Sequence, residues 1–293
     1  MNRADPIPFK EGGRMEDDHS YLRSPRPDSQ EGKSGKWLAW LNLFGFLIMV
    51  TVNYLANALP LNHLNTGQLS DKYPNLFVPA GITFSIWGII YLVLGIFVFY
   101  SLYQAWTKRA AFPAYKRLGL LFFLTCLANA GWIFAWHYEQ LLLSLLVMLI
   151  LLVLLIAIYQ KLENRSPMEK TQDKFPARVA FSVYLAWIGV ATVANAAAVL
   201  VGYGWNRFGL SEQFWTVAVL AFITVLTLIF ILKKRDIIYS LTIIWALLGI
   251  LYKRLEDTSS ADQIVQVATI AGLAVIILAI ILRFGWKRQK AGL

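Results

Sequence analysis

Trp, Tyr and Asn side chains recur inside long uncharged stretches of this sequence. The clearest example is YLAWIGVATVAN, residues 184–195, which places a Tyr, a Trp, a Thr and an Asn among apolar residues. Such side chains can stack on a flat molecule and donate or accept hydrogen bonds. An amide buried in hydrocarbon must find a partner, which is another helix, a water molecule or a ligand. The pattern therefore indicates either ligand binding or helix packing.

Residues typical of catalysis or metal binding are scarce. The three His residues, His19, His63 and His137, lie far apart in the chain, and the sequence has no metal-ligand, nucleophile or nucleotide motif. A metal site that brings His63 and His137 together in space is the only alternative that the spacing leaves. We predict no catalytic residue and no metal site, and an enzymatic role has no motif to support it.

The segments that carry the Trp and Asn residues are predicted to span a membrane. The 293-residue chain is 58% hydrophobic, is 15% charged and has a mean hydropathy of +0.55, which is too apolar for a soluble domain. A helix needs about 20 residues to cross some 30 Å of hydrocarbon. Uncharged runs that meet or approach this length are residues 37–59, 80–106, 118–137, 140–160, 179–201, 214–232, 237–252 and 264–282. The predicted fold class is an all-α, polytopic integral membrane helix bundle with about eight transmembrane helices.

The basic residues orient these spans. Lys and Arg beside a span are retained on the cytoplasmic side, and here the connections alternate between rich and poor in Lys and Arg, eighteen residues against four. We therefore predict that both termini are cytoplasmic and that the protein lies in the cell (plasma) membrane. Because the net charge of +10 is divided among several connections, the expected partner is an anionic lipid bilayer and not a nucleic acid. Residues 1–36 are rich in Pro, Gly, Ser and mixed charge, which predicts a disordered cytoplasmic tail.

This topology brings polar and aromatic side chains toward one leaflet, which we predict to be the outer one. Four spans, the first, second, third and fifth, contribute Asn or Trp at similar depth. Aromatic walls with a few convergent polar groups are typical of small-molecule pockets. The alternative is that the Asn residues hydrogen-bond between helices, at about 0.6 to 2 kcal/mol each.

Three segments resemble the TspO/MBR family, whose members are also called translocator proteins or tryptophan-rich sensory proteins. YLAWIGVATVAN matches the pattern YLAWxxxATxxN of the family's fifth helix. The start of span two resembles the family's W-x-P-P-G-x-x-F followed by W-x-x-x-Y, although Trp87 follows Phe84 one residue sooner than in the family. Asn129 and Trp132 resemble the N-x-x-W of its third helix.

The resemblance covers residues 37–207 and implies a five-helix bundle, often dimeric. Such a bundle binds tetrapyrroles such as protoporphyrin or haem and, in some members, sterols or synthetic aromatic ligands. No bound cofactor would be required. Residues 208–293 would then form three additional membrane helices and a short cytoplasmic C-terminus.

The predicted site is a pocket in the outer half of spans one, two, three and five, below the loop formed by residues 60–79. Its predicted ligand-binding residues are Asn53, Phe84, Trp87, Tyr91, Asn129, Trp132, Trp136, Tyr184, Trp187 and Asn195. Trp132 and Trp187 would stack on the ligand, and Asn129 and Asn195 would hydrogen-bond to it. Lys72 or Arg207 would meet a ligand carboxylate at the rim.

Two functions follow from this sequence. In the first, the protein is a membrane ligand-binding sensor or translocator for tetrapyrrole-like or lipidic aromatic molecules. In the second, it is a component of a multi-span transporter or permease, and the Asn and Trp residues serve helix packing. Breakdown of the ligand is a third role that only the resemblance suggests.

Overall fold

The computed structural model describes residues 29–59, 61–107, 114–164, 171–256 and 259–285, and within these ranges it contains helices and no strand. The helices are α1 (Ser29–Ala58), α2 (Thr66–Asp71), α3 (Ile86–Thr107), α4 (Ala114–Leu118), α5 (Leu121–His137), α6 (Leu141–Glu163), α7 (Thr171–Gly202), α8 (Glu212–Ile229), α9 (Ile237–Glu256) and α10 (Ser260–Ile280). The predicted all-α fold is confirmed. Helix α1 begins inside the predicted tail, and residues 1–28 of that tail lie outside the described ranges.

Seven helical segments of the described chain are long and apolar enough to cross a membrane, so the protein is an integral membrane helix bundle. The remaining predicted span is α5, which has 17 residues and is about 25 Å long. Gly119 adopts a left-handed backbone conformation (φ 56°) between α4 and α5 and so ends the short helix before the span begins. The predicted seventh span of 16 residues is longer than expected, because α9 has 20 residues.

Helices α1, α3, α5, α6 and α7 form the first part of the bundle. Helix α7 packs on α6 and α3, α5 packs on α6 and α1, and α1 packs on α3. Phe97, Phe122 and Phe181 join α3, α5 and α7 through edge-to-face ring contacts at 5.2 to 5.7 Å. These aromatic contacts fix α7 between its neighbours and so position the Tyr, Trp and Asn residues that follow along it.

Helices α8, α9 and α10 form the second part. Helix α10 packs on both α8 and α9, and α9 packs on α7, whereas α8 has few contacts with α7. The predicted boundary at residue 207 falls in the connection between α7 and α8. The second part is therefore held to the first mainly by α9.

A buried carboxylate anchors α9 at its N-terminus. Asp236 precedes the helix, and its Oδ1 accepts a hydrogen bond from the backbone N–H of Tyr239 at 3.0 Å, as an N-cap does. Its Oδ2 accepts hydrogen bonds from the hydroxyls of Tyr159 on α6 (2.8 Å) and Ser182 on α7 (2.6 Å). One charged side chain thus ties the second part of the bundle to two helices of the first. The end of the bundle opposite Asp236 carries α2 and is called the α2 end.

Candidate functional site

Four aromatic rings form a continuous stack between α3 and α5. The order is Tyr91, Trp87, Trp132 and Trp136, with ring centroids 5.7, 6.0 and 6.0 Å apart and interplanar angles of 20°, 28° and 17°. Each helix contributes two rings four residues apart, which places them one above the other on the same helix face. Aromatic pairs of this kind contribute about 0.5 to 1.5 kcal/mol beyond the area they bury. The stack therefore stabilises the α3–α5 contact and provides flat surfaces.

Helix α7 places two further rings against the side of this stack. Tyr184 and Trp187 meet Trp87 edge to face, at 6.2 Å and 70° and at 6.3 Å and 85°. Phe84 meets Trp187 in the same way at 5.9 Å. Trp87 thus lies at the centre of this aromatic cluster, although it follows Phe84 one residue sooner than in the TspO/MBR motif. Residues 81–85 form a 3₁₀ turn before α3, and such a turn has fewer residues per revolution than an α-helix.

A chain of buried hydrogen bonds joins α1, α5 and α7. The Nδ2 of Asn53 donates to the Oδ1 of Asn129 at 2.7 Å, and the Nδ2 of Asn129 donates to the Tyr184 hydroxyl at 2.9 Å. Asn53 Nδ2 also donates to the Met49 carbonyl within α1. These three predicted site residues hydrogen-bond to one another between helices, which is the packing role that the sequence left open.

Asn195 joins α5, α6 and α7 in a second group of hydrogen bonds. Its Oδ1 accepts from the indole Nε1 of Trp132 at 3.1 Å, and its Nδ2 donates to the Ser144 hydroxyl at 2.9 Å. Ser144 was not predicted. The available signal was its position as the only polar residue of LLLSLLVMLI, residues 141–150. A lone hydroxyl in such an apolar helix needs a partner, and Asn195 is that partner.

These side chains surround a cavity of about 30 Å³. Six of the ten predicted site residues line it: Phe84, Trp87, Trp132, Trp136, Trp187 and Asn195. Of the other four, Tyr91 and Tyr184 contact Trp87, Asn129 hydrogen-bonds to Tyr184, and Asn53 hydrogen-bonds to Asn129. We call this space the central cavity. It has room for about one water molecule, whereas small-molecule pockets measure roughly 300 to 1,000 Å³. In this structure the aromatic side chains therefore pack around a space that is too small for such a ligand.

One donor beside the central cavity is unsatisfied. The Nε1 of Trp187 is buried and has no hydrogen-bond partner. Leaving a donor of this kind buried and unpaired costs about 1 to 3 kcal/mol. The cavity thus combines aromatic faces with one free N–H donor, whereas the Asn195 amide is already paired with Trp132 and Ser144.

The predicted loop above the site contains helix α2, and Thr66 and Ser70 of α2 line the central cavity. The Asn65 Oδ1 caps α2 by accepting from the Gln68 backbone N–H, and the Gln68 Oε1 accepts from the Asn65 backbone N–H. The Thr66 carbonyl accepts from the Nε1 of Trp136 at 3.4 Å. Helix α2 therefore closes the cavity as a short, capped roof.

A cluster on Glu139 holds the roof to the α5–α6 turn. The Lys72 ammonium lies 2.6 Å from the Glu139 carboxylate, and the Tyr73 hydroxyl donates to it at 2.7 Å. These two hydrogen bonds lower the pKa of Glu139. Burial, followed by the bond to Glu139, raises the pKa of Tyr73 to about 12. Lys72, predicted to meet a ligand carboxylate, is thus already paired with Glu139 in this structure.

The second part of the bundle holds the roof from the other side. The backbone N–H of Ala80 donates to the Gly249 carbonyl of α9, and the Trp245 indole donates to the Thr83 carbonyl, both at 3.0 Å. The Lys253 ammonium lies 2.5 Å from the Asp71 carboxylate at the end of α2. Helix α9 therefore contacts both α2 and the start of α3.

Arg207, the other predicted rim residue, lies elsewhere. It borders a second cavity, of about 570 Å³, between α7 and α8 at the α2 end. We call this the α7–α8 cavity. None of the ten predicted ligand-binding residues lines it.

The sequence was compared with known proteins. The sequence model of a family described as TSPO-like protein matches residues 39–282, from α1 to α10. The chain belongs to this TSPO-like family. The resemblance identified from residues 37–207 is thereby confirmed, and the match to the TSPO-like family also includes the three C-terminal helices. No curated protein and no solved structure matches the chain significantly.

The described residues of this TSPO-like chain contain no group of three or more His, Cys, Asp or Glu side chains that could hold a metal ion. Its candidate site is therefore built from rings, amides and hydroxyls. Such groups can bind and orient a flat molecule by stacking and hydrogen bonding.

Proposed function

We propose that this protein is a membrane sensor or translocator that binds flat aromatic molecules in the central cavity. The ligand class is a tetrapyrrole such as protoporphyrin or haem, or a lipidic aromatic molecule of similar width. The unpaired Nε1 of Trp187, buried beside the Trp87 and Trp132 rings, carries the proposal. A ligand oxygen or nitrogen would satisfy this donor while the ligand plane lies against the rings.

Binding requires the cavity to open, because about 30 Å³ cannot hold a ligand of this size. The roof is the part that can move at modest cost. Its ion pairs, Lys72 with Glu139 and Lys253 with Asp71, are partly exposed, and such pairs contribute only about 0 to 1 kcal/mol each. Displacement of α2 would remove Thr66 and Ser70 from the cavity wall and give the ligand access to the stack.

The orientation of the site is part of the proposal. The distribution of Lys and Arg supports cytoplasmic termini in a plasma membrane. With that topology the α2 end faces outward, and the ligand enters from the outer leaflet or from the external medium.

The test is a titration of detergent-purified protein with protoporphyrin, followed by tryptophan fluorescence. Trp187→Phe keeps an aromatic ring but removes the N–H together with the five-membered ring of the indole, so we expect saturable quenching with an affinity about tenfold weaker than that of the wild type. Trp40→Phe is the matched control, because Trp40 is an exposed side chain at the opposite end of the bundle. The control should bind as the wild type does. Absence of quenching, or equal affinity in all three proteins, would contradict the proposal.

The transporter or permease function has one observation in its favour. The Asn53, Asn129 and Tyr184 side chains hydrogen-bond to one another between helices, as packing residues do. That function predicts substrate flux in proteoliposomes that depends on an ion gradient and persists in Trp187→Phe. The binding function predicts saturable protoporphyrin binding without any gradient.

A further inference from the structure

The α7–α8 cavity is present without any rearrangement. Its volume of about 570 Å³ lies within the roughly 300 to 1,000 Å³ typical of small-molecule pockets. Its walls are mainly apolar and include Ala196 and Ala197 of α7 and Val219 of α8. The cavity exists because α8 packs on α10 and has few contacts with α7, and because two of the α7 side chains at the gap are alanines.

An empty or water-filled gap of this size is unfavourable between two membrane-spanning helices. Apolar walls give water too few hydrogen-bond partners, and an empty space forfeits the dispersion contacts of its lining. The surrounding bilayer provides hydrocarbon chains that can fill the gap. The occupant of the apolar part is therefore expected to be a hydrocarbon chain.

The cavity has a charged mouth at the α2 end. The Arg207 guanidinium and the Glu212 carboxylate border it, and their nearest atoms are 3.4 Å apart, which is longer than the 2.7 to 2.9 Å of a strong charge-assisted hydrogen bond. Glu212 is also held by the Leu76 backbone N–H at 2.8 Å, so its carboxylate keeps a partner if Arg207 turns away. Both signs of charge are thus available within one mouth.

Aromatic rings adjoin these charges. Trp205 and Trp215 line the cavity with centroids 5.2 Å apart, and the Trp215 indole donates to the Arg207 carbonyl at 3.0 Å. Aromatic faces beside a carboxylate are suited to a substituted ammonium group, and a guanidinium is suited to a phosphate.

We propose that the α7–α8 cavity binds one acyl chain of a zwitterionic phospholipid. The chain lies between α7 and α8, the phosphate meets Arg207, and the ammonium group lies beside Glu212 and the two Trp rings. A lipid with an anionic headgroup and no ammonium fits less well, because it would bring a second negative charge to Glu212 without a compensating cation. This site shares no lining residue with the central cavity and does not depend on the function proposed for it.

Native mass spectrometry of the protein in detergent tests this site directly. The probes are phosphatidylcholine and phosphatidylglycerol with identical acyl chains, supplied in equal amounts. We expect the wild type to retain one phosphatidylcholine at several-fold higher occupancy than phosphatidylglycerol. Val219→Trp should place a large ring in the path of the acyl chain and strongly lower this retention. Ala218→Trp is the matched control, because Ala218 is the neighbouring residue on α8 and is exposed outside the cavity.

Two charge variants test the headgroup. Arg207→Gln should lower phosphatidylcholine occupancy roughly tenfold through the loss of a charge-assisted contact. Glu212→Gln keeps an oxygen for the Leu76 N–H and removes the negative charge, so phosphatidylglycerol should gain relative to phosphatidylcholine. Ala197→Leu narrows the cavity from the α7 wall and serves if Val219→Trp does not fold. The proposal is overturned if lipid retention is equal in Val219→Trp and Ala218→Trp, or if the wild type prefers phosphatidylglycerol.

Discussion

The two cavities lie on different faces of α7 and differ in what occupies the space between helices. In the central cavity, the stacked rings of α3 and α5 meet those of α7 and leave about 30 Å³. In the α7–α8 cavity, alanines face a helix that packs elsewhere, and about 570 Å³ remains. Large side chains therefore fill most of the central cavity, whereas the α7–α8 cavity can be filled only by another molecule, such as a lipid.

The largest expected effect tests whether the central rings are structural. Trp132→Ala removes a buried ring that stacks on both Trp87 and Trp136, together with the hydrogen bond to Asn195. We expect the free energy of unfolding to fall by about 3 to 5 kcal/mol. Trp215→Ala, at the mouth of the already open α7–α8 cavity, should cost less than about 1.5 kcal/mol. Unfolding of both variants in detergent gives the two values, and equal losses would remove the distinction between the cavities.

A smaller effect is expected where Gly249 of α9 lies close to Thr83, in the turn before α3. A Cβ added at Gly249 would lie 2.0 Å from the Thr83 Oγ1, so the two segments would have to separate. We expect Gly249→Ala to destabilise the protein by about 1 to 3 kcal/mol. Gly189→Ala on α7 is the control, because nothing lies within 4 Å of its added Cβ. Combining Gly249→Ala with Thr83→Ala should recover part of the loss in melting temperature. Equal melting temperatures for the two glycine variants would show that this contact can relax.

The smallest effect concerns the roof. Because the pKa of Glu139 is lowered by hydrogen bonds from Lys72 and Tyr73, the cluster contributes its full stability above the usual carboxyl value of 4.5 and loses it as pH falls through the lowered pKa. Glu139 is partly exposed, so we expect Glu139→Gln to cost at most about 1 kcal/mol near neutral pH. Melting temperatures measured across this range should converge for the two proteins in acid. A difference that persists below the lowered pKa would rule out this origin.

Much of the architecture could be predicted because the bilayer imposes simple rules. Length and hydropathy identify the spans, and the TSPO-like motifs in spans two, three and five identify the residues around the central cavity. Asn129 and Trp132 were recognisable as candidate site residues because a polar group at that depth in the membrane needs a hydrogen-bond partner.

Other features depend on contacts between segments that are distant in sequence. Asp236 lies just outside the predicted spans, where the sequence indicates only a charged residue in a loop. Its role depends on Tyr159 and Ser182, which the fold places beside its carboxylate. The buried ion pair of Arg254 and Asp262, at 2.8 Å, joins the end of α9 to the start of α10 in the same way. Neither partner choice is encoded in local pattern or composition.

The cavity volumes could not be predicted, because they depend on how side chains interlock. The alanines at positions 191, 194, 196 and 197 show that α7 has small side chains there. They do not show whether side chains of a neighbouring helix fill the space beside them. At the central cavity Trp87 and Trp187 fill most of the space. At the α7–α8 cavity, α8 lies too far from α7 to fill it. The difference follows from the packing of α8 on α10, which involves no residue of α7.

Because α7 is a wall of both cavities, the two proposed ligands would be thermodynamically linked. Ala194 and Asn195 face one cavity, and the next two residues face the other, so a shift or rotation of α7 in response to one occupant alters the space available to the second. By reciprocity, any factor by which the phospholipid changes the affinity for the aromatic ligand is the factor by which that ligand changes the affinity for the phospholipid. The lipid composition of the surrounding leaflet would then act as an allosteric input to the sensor.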